Sequence, residues 1–217
     1  MIPVFSDENI LYEDNEVIVC KKPAGIPTQS NRIGAPDMVS ILKNHIAAAS
    51  KQKGEPYLAV IHRLDQPVEG LLVFAKSPHA AKELNRQLQQ FGFGKYYRAH
   101  LTQTPDAQEA TLTDYMVKDG RNNTSSICSA KAPGAKEATL TYQITEQFDD
   151  GTCMAEISLK TGRHHQIRVQ MASIGCPILG DRKYGAADCD FTGNLQLFAC
   201  RLEFRHPRRG KQLTFHI

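Results

Sequence analysis

The chain has 217 residues, the size of one large domain or one domain with modest additions. Its 41% hydrophobic and 23% charged fractions are those of an ordinary globular protein, which excludes fibrous and low-complexity readings. Twenty-six basic against twenty-three acidic side chains leave only +3, so the total charge does not single out a nucleic-acid partner. No apolar run approaches the roughly 18 residues that would span a bilayer, and the start M-I-P-V-F-S-D-E-N lacks the layout of a secretory signal. A cytoplasmic protein without membrane contact is expected. The six cysteines, Cys20, Cys128, Cys153, Cys176, Cys189 and Cys200, are scattered singly and are read as reduced packing thiols.

In chain order, D-N-E-V-I-V-C (14–20) predicts a strand. Met38–Ser50 places Val39, Leu42 and Ile46 at helical spacing. Tyr57–Leu64 and Gly70–Ala75 read as two apolar strands joined by the tight connection D-Q-P-V-E. Ser77-Pro78 is an N-cap and first-turn pair opening a helix with Ala81, Leu84, Leu88 and Phe91 on its apolar face. Strand alternation returns at Tyr97–Leu101, at Ala138–Ile144 and at Ala155–Leu159. Thr161-Gly162-Arg163 then leads to a helix with Ile167, Met171 and Ile174 on one side and Gly175 as a left-handed C-cap. Leu195–Phe204 and Gln212–Ile217 read as strands of a hairpin closed by H-P-R-R-G-K. No linker or repeat divides the chain. The expectation is a single α+β domain over 1–217, with a mixed, largely antiparallel central sheet flanked by helices.

Asp65 ends an apolar run just ahead of a turn. That would hold a carboxylate at the rim of a sheet, shielded yet reachable, as a nucleophile or general base requires. An aspartate that merely bonds the backbone of the Gln66-Pro67 turn would leave the same pattern. Arg168 follows Ile167 and should lie on the helix flank, where a guanidinium could keep a nearby carboxylate ionised, or could simply be solvated. The neighbouring His164 and His165 lack any metal-binding spacing, so no metal site is expected. G-F-G at 92–94 is neither a dinucleotide fingerprint nor a P-loop, and no G-x-S-x-G occurs; nothing calls for a cofactor.

Taken together, the segments resemble one family. I-H-R-L-D-Q-P-V-E-G-L-L-V-F-A-K (61–76) is similar to the H-R-L-D signature of the RluA family of RNA pseudouridine synthases. Y-E-D-N-E-V-I-V-C-K-K-P-A-G (12–25), K-Y-Y-R-A (95–99), T-G-R-H-H-Q-I-R-V-Q (161–170), G-C-P-I-L-G-D-R-K-Y-G (175–185) and L-Q-L-F-A-C-R-L-E-F-R-H-P (195–207) agree in the same order. The resemblance implies a stand-alone pseudouridine synthase catalytic domain, without a preceding S4-type domain, that isomerises uridine in structured rRNA or tRNA as a monomer. It makes Asp65 the catalytic aspartate, Tyr97 the tyrosine lying against the uracil, and Arg168 the basic partner of the aspartate. Arg63 corresponds to the arginine associated with displacing the target base. His62, Arg163, His165 and Gln166 share these motifs and are expected at the RNA. Two departures stand out: Val68-Glu69 replaces the usual Thr-Ser, and Gln170 stands where histidine is common. Glu69 there would add a carboxylate near Asp65 and Pro67 would stiffen the loop.

That chemistry suits so small a set of groups. Breaking an N-glycosidic bond builds positive charge on the ribose, which one carboxylate can stabilise or capture, with no redox step or group donor. A stacked uracil must first flip out onto an aromatic face. Two other functions fit the same residues: an inactive RNA-binding relative, suggested by the altered P-V-E loop, and a hydrolase that releases the base. The charge also proves uneven. Residues 160–217 hold 10 basic and 4 acidic side chains, against 16 and 19 before them. Arg163, Arg168, Arg182, Lys183 and the hairpin with Arg208 and Arg209 are therefore expected to face phosphate.

Overall fold

Among the residues described in the computed structural model (5–30, 34–49, 54–90, 92–185 and 191–217), the chain forms an α+β arrangement of largely antiparallel strands and three α-helices. The order is β1 (Ile10–Glu13), β2 (Val17–Lys22), α1 (Met38–Ala49), β3 (Ala59–Val60), β4 (Glu69–Ala75), α2 (Pro78–Gln89), β5 (Gly94–Leu101), β6 (Glu109–Asp119), β7 (Thr124–Cys128), β8 (Lys136–Gln147), β9 (Cys153–Leu159), α3 (Gln166–Ser173), β10 (Leu197–Arg205) and β11 (Gln212–His216). Two compact units result: Met1–Gly94 with Ala199–Ile217, and Lys95–Phe198. Phe91, Ser50 and Cys189, singled out above, lie outside the described residues.

In the first unit the strand order is β1-β2-β4-β10-β11, with β3 also on β4. Val17 to Cys20 are wholly buried, and so is almost all of Leu71 to Ala75, because β2 and β4 are covered on both faces and need near-continuous apolar sequence. Their register runs from Val17 opposite Ala75 to Lys22 opposite Gly70. The chain leaving β2 and the chain entering β4 therefore lie side by side at one end of the sheet. Gly70 has φ +138°, and a Cβ there would meet the Ala199 carbonyl oxygen at 2.4 Å, so the close approach of β10 requires glycine. The Ser77 hydroxyl accepts the Ala80 N–H at 3.0 Å, as its cap position predicts. Beneath α2, Leu84, Phe93 and Phe204 close the core.

The strand expected over Tyr57–Leu64 shrinks to Ala59–Val60. Its second half takes backbone partners from a loop instead of from a strand, which is the central feature of the site described below.

In the second unit the order is β5-β9-β8-β6-β7. The pair β6 and β7 was not expected from sequence, because in β6 only Met116 is buried and β7 reads T-S-S-I-C, so apolar alternation is faint. On its other edge β6 pairs with β8, where cross-strand threonines meet: Thr111 and Thr141 hydroxyls lie 3.0 Å apart. The helix α3 ends at Ser173, and Gly175 has φ +78°, the left-handed conformation anticipated for it. Instead of one apolar side, every residue of α3 from Gln166 to Met171 is buried. No helix among the described residues is long and apolar enough to cross a membrane.

Candidate active site

The first unit presents Asp65 in an irregular loop, not at the end of a strand. Its backbone is fixed by residues 22–28, the segment leaving β2. Leu64 N–H donates to Thr28 Oγ1 at 3.1 Å, and Thr28 Oγ1 donates to Leu64 C=O at 3.0 Å. After the aspartate, the Gln66 carbonyl accepts from Gly25 N–H at 2.8 Å and from Lys22 Nζ at 3.1 Å. Val68 N–H closes the turn onto the Asp65 carbonyl at 3.0 Å.

Lys22 is completely buried, and its Nζ also donates to Pro23 C=O at 2.9 Å and Ile26 C=O at 2.7 Å. Three carbonyl acceptors call for three N–H groups, hence for the ammonium form. Burial nevertheless lowers its pKa to about 8, against the opposing pull of the Asp65 and Glu69 charges. Glu69 is engaged by Lys21 at 2.7 Å.

Arg63 is exposed, and its Nη2 donates to Gln29 Oε1 at 2.8 Å beside a pocket of about 310 Å³ lined by Pro27, Thr28, Gln29, Arg63, Leu64 and Gln66. His62 turns inward: Val73 N–H approaches its Nε2 at 3.4 Å and its ring meets Phe93 edge-on at 5.4 Å. These contacts make it part of the packing beneath the loop.

In the second unit Tyr97 lies on the buried face of β5 with Lys95, at 6% and 8% exposure. Burial, reinforced by the Arg163 charge, lowers Lys95 to about 8. Arg168, expected on a helix flank, is instead buried, with Nε on Asp181 Oδ2 at 2.8 Å and Nη2 on Asp181 Oδ1 at 2.7 Å. Burial alone would raise the Asp181 pKa, but Arg168 and the Lys183 and Tyr184 N–H groups bring it below its ordinary value. The guanidinium also sits 5.1 Å from the centre of the Tyr184 ring.

His165 takes a left-handed conformation, φ +55°, at the start of α3, and stacks on His164 with ring centres 3.7 Å apart. Its Nδ1 lies 2.7 Å from the Tyr184 hydroxyl. That hydroxyl also accepts the Ser125 N–H at 2.8 Å. Burial first, then the Arg168 charge, drive His165 down to about 3; burial and Lys118 bring His164 to about 4. Both rings are neutral.

Gln166 is 2% exposed and its amide is fully engaged. Oε1 accepts from Thr161 Oγ1 at 2.8 Å and Arg163 N–H at 2.9 Å, while Nε2 donates to Gln170 at 3.0 Å. Gln170 passes the chain on to Asp114 at 2.7 Å. Gln166 therefore supports the T-G-R-H-H turn from inside.

The basic side chains fall into two groups. Arg163, Arg182 and Lys183 bond backbone carbonyls, of Glu137 at 2.7 Å, Thr192 at 3.3 Å and Asn123 at 2.8 Å, with no carboxylate partner among the described residues. In the terminal hairpin, by contrast, Arg208 is paired with Glu16 at 2.5 Å and Arg209 lies 3.9 Å from Asp14. Sequence reasoning did not single out Asp181, Thr28, Lys22 or Gln29. Only Asp181 and Lys22 fell within quoted motifs, and nothing local marked their partners.

The first unit thus holds a loop-borne aspartate beside an exposed arginine, and the second a buried tyrosine and a buried arginine paired with Asp181. The RNA pseudouridylate synthase family profile matches residues 16–173. The dual-specificity RNA pseudouridine synthase RluA of Salmonella typhimurium is 31% identical over 210 residues, 96% of this chain and 91% of that protein. The uncharacterized RNA pseudouridine synthase YlyB of Bacillus subtilis is 33% identical over 213 residues, 96% of this chain and 68% of that protein. The structure of human RNA pseudouridylate synthase domain containing 4 shares the fold, with a TM-score of 0.79 at 21% identity, covering 97% of this chain and 88% of that one. The chain belongs to the RluA family of RNA pseudouridine synthases. It is an isomerase that acts on uridine in RNA.

Proposed function

We propose that the target uridine lies in a structured ribosomal or transfer RNA and that Asp65 is the carboxylate that acts while the base is detached, turned and rejoined through carbon. The observation that carries this reading is the loop itself: a carboxylate of the matching motif on irregular backbone whose two neighbours, Leu64 and Gln66, are both pinned. A nucleophile held this way meets the ribose without reorganising. Carbon C1′ gains positive charge as the glycosidic bond weakens, and the aspartate stabilises or captures it; the freed uracil then offers C5 to the same carbon.

In this reading Arg63 enters the helix as the base leaves it, and its exposure and single amide partner, Gln29, suit a side chain that must move. Tyr97 receives the uracil face and takes the C5 proton. Arg168 holds negative charge in place through a rigid guanidinium, itself fixed by Asp181. Arg163, Arg182 and Lys183 supply phosphate contacts. Residues 1–217 work as one catalytic domain, a reading supported by a family match that extends from 16 to 173 across the sequence boundary of the units, and the protein acts in the cytoplasm as a monomer.

Deleting the gene and mapping pseudouridines in total RNA, by reverse-transcription stops at chemical adducts, should show one or a few sites lost in rRNA or tRNA. The wild-type gene should restore them and Asp65→Asn should not. Restoration by Asp65→Asn at the normal level would sink the catalytic assignment. Loss of no site would favour an inactive RNA-binding protein, and free uracil released in vitro would favour the hydrolase.

A further inference from the structure

We propose that Thr28 is a positioning residue for Asp65, its hydroxyl setting where the carboxylate stands. This rests on the reading of Asp65 as the reacting carboxylate. Leu64 immediately precedes the aspartate, and its N–H and C=O belong to the two peptide groups on either side of its Cα. A strand neighbour would ordinarily satisfy both, but β3 stops at Val60. One hydroxyl replaces that neighbour: Thr28 Oγ1 accepts from Leu64 N–H at 3.1 Å and donates to Leu64 C=O at 3.0 Å. Holding both peptide planes fixes φ and ψ of Leu64, and with them the direction in which Asp65 leaves the chain.

The hydroxyl is well placed for this work. Thr28 is 3% exposed, so water does not compete for either bond. A branched side chain has few χ1 choices, so its oxygen is already oriented. The segment that bears it is tied to the start of α1: Met38 N–H donates to Pro27 C=O at 3.0 Å, and Ser30 N–H donates to Asp37 Oδ2 at 2.6 Å. Asp37 in turn caps α1 by accepting the Ser40 N–H at 2.7 Å. A continuous line of bonds therefore runs from the helix through residues 27–30 to Leu64. On the far side of Asp65, Lys22 and Gly25 hold Gln66; ahead of the aspartate, the Thr28 side chain holds Leu64.

The test compares wild type, Thr28→Val, Thr28→Ser and Asp65→Asn on an RNA fragment carrying the mapped uridine, under single turnover and at saturation. Valine keeps the shape and removes both bonds. The expected result is a folded Thr28→Val protein with KM close to wild type and kcat lower by on the order of 10²-fold, the scale of a small misplacement of a reacting group. Thr28→Ser, which keeps the oxygen, should recover most of the rate. Wild-type kcat in Thr28→Val overturns the proposal, and so does a loss that Thr28→Ser fails to reverse. Should Thr28→Val not fold, Thr28→Cys fills the same space with a poorer hydrogen-bonding group, and a wild-type kcat there overturns the proposal equally. An Asp65→Asn protein that turns over normally removes the underlying reading; an inert Asp65→Asn beside a fully active Thr28→Val removes this inference alone.

Discussion

The pair between Arg168 and Asp181 is the most heavily buried ionic contact described in the molecule, with side-chain exposures of 7% and 0%. Changing Asp181 to Asn removes the charge while keeping one oxygen for the Lys183 and Tyr184 N–H groups that the carboxylate now binds at 2.9 and 3.1 Å. What is lost is therefore the ionic, two-point part of the contact, together with a guanidinium left facing an amide N–H. Breaking a buried pair from one side costs about 3–5 kcal/mol, because the remaining charge stays desolvated. With a urea slope of about 2–3 kcal/mol/M for a chain of this size, the midpoint should fall by about 1–2 M. Arg168→Met combined with Asp181→Asn should be more stable than the sum of the two single losses implies, since the charge that suffered is gone. Equilibrium urea unfolding, followed by far-ultraviolet circular dichroism, measures all four proteins of this cycle. A midpoint for Asp181→Asn within about 0.3 M of wild type, or strict additivity in the cycle, would refute the reasoning.

Two further outcomes follow from charges held in the second unit and in the hairpin. His165 and His164 have folded pKa values of about 3 and about 4, below the 6.5 of the unfolded chain, so acid protonates the unfolded state first. Stability should fall as the pH drops below 6.5 and level near the folded values, with solvent screening reducing the share of the less buried His164; a His165 ring resonance titrating near pH 6.5 would contradict this. Lys183→Glu should weaken RNA binding and lower the salt slope by about one or more, whereas Arg208→Glu, already opposite Glu16, should mainly destabilise the hairpin. Equal effects of the two on filter-binding affinity would show that the carbonyl-bonded cations are not the ones that meet phosphate.

The parts of the fold that were legible in the sequence are those in which side-chain periodicity and burial agree. The continuous apolar runs of β2 and β4 and the Ser77-Pro78 start of α2 are of this kind. Where polar groups occupy buried positions, the pattern misleads. Gln166, Arg168 and Gln170 made α3 look one-sided, yet all three are buried because their bonds to Thr161, Asp181 and Asp114 remove the cost of leaving water. The run Y-L-A-V-I-H-R-L reads as one strand because periodicity cannot register that a threonine thirty-six residues away satisfies Leu64. For the site, the sequence picked out Asp65 and Arg168 by motif. It could not reveal their supports, since Thr28 and Asp181 are polar residues in loops, whose relevance lies wholly in what they touch.

The same supports bear on the two departures from the family pattern, which had motivated the reading of an inactive relative. A Thr-Ser pair after the aspartate would supply hydroxyls to the loop. Here a backbone bond, Val68 N–H to Asp65 C=O, closes the turn, while Thr28, Gly25 and Lys22 bond the loop from the other side. Val68 is 2% exposed, so the position given up by a hydroxyl contributes apolar burial beneath the turn. Glu69 brings a charge, but Lys21 at 2.7 Å and the buried Lys22 ammonium balance it, so its carboxylate does not stand alone near Asp65. At the other departure, Gln170 does what a single neutral imidazole nitrogen cannot: its amide oxygen accepts from Gln166 while its NH₂ reaches Asp114 and the Ala138 carbonyl. Each substitution thus arrives with partners that meet its bonding needs. The two departures are therefore accommodated by the bonds around them, and the loop gives no structural support to the reading of an inactive relative.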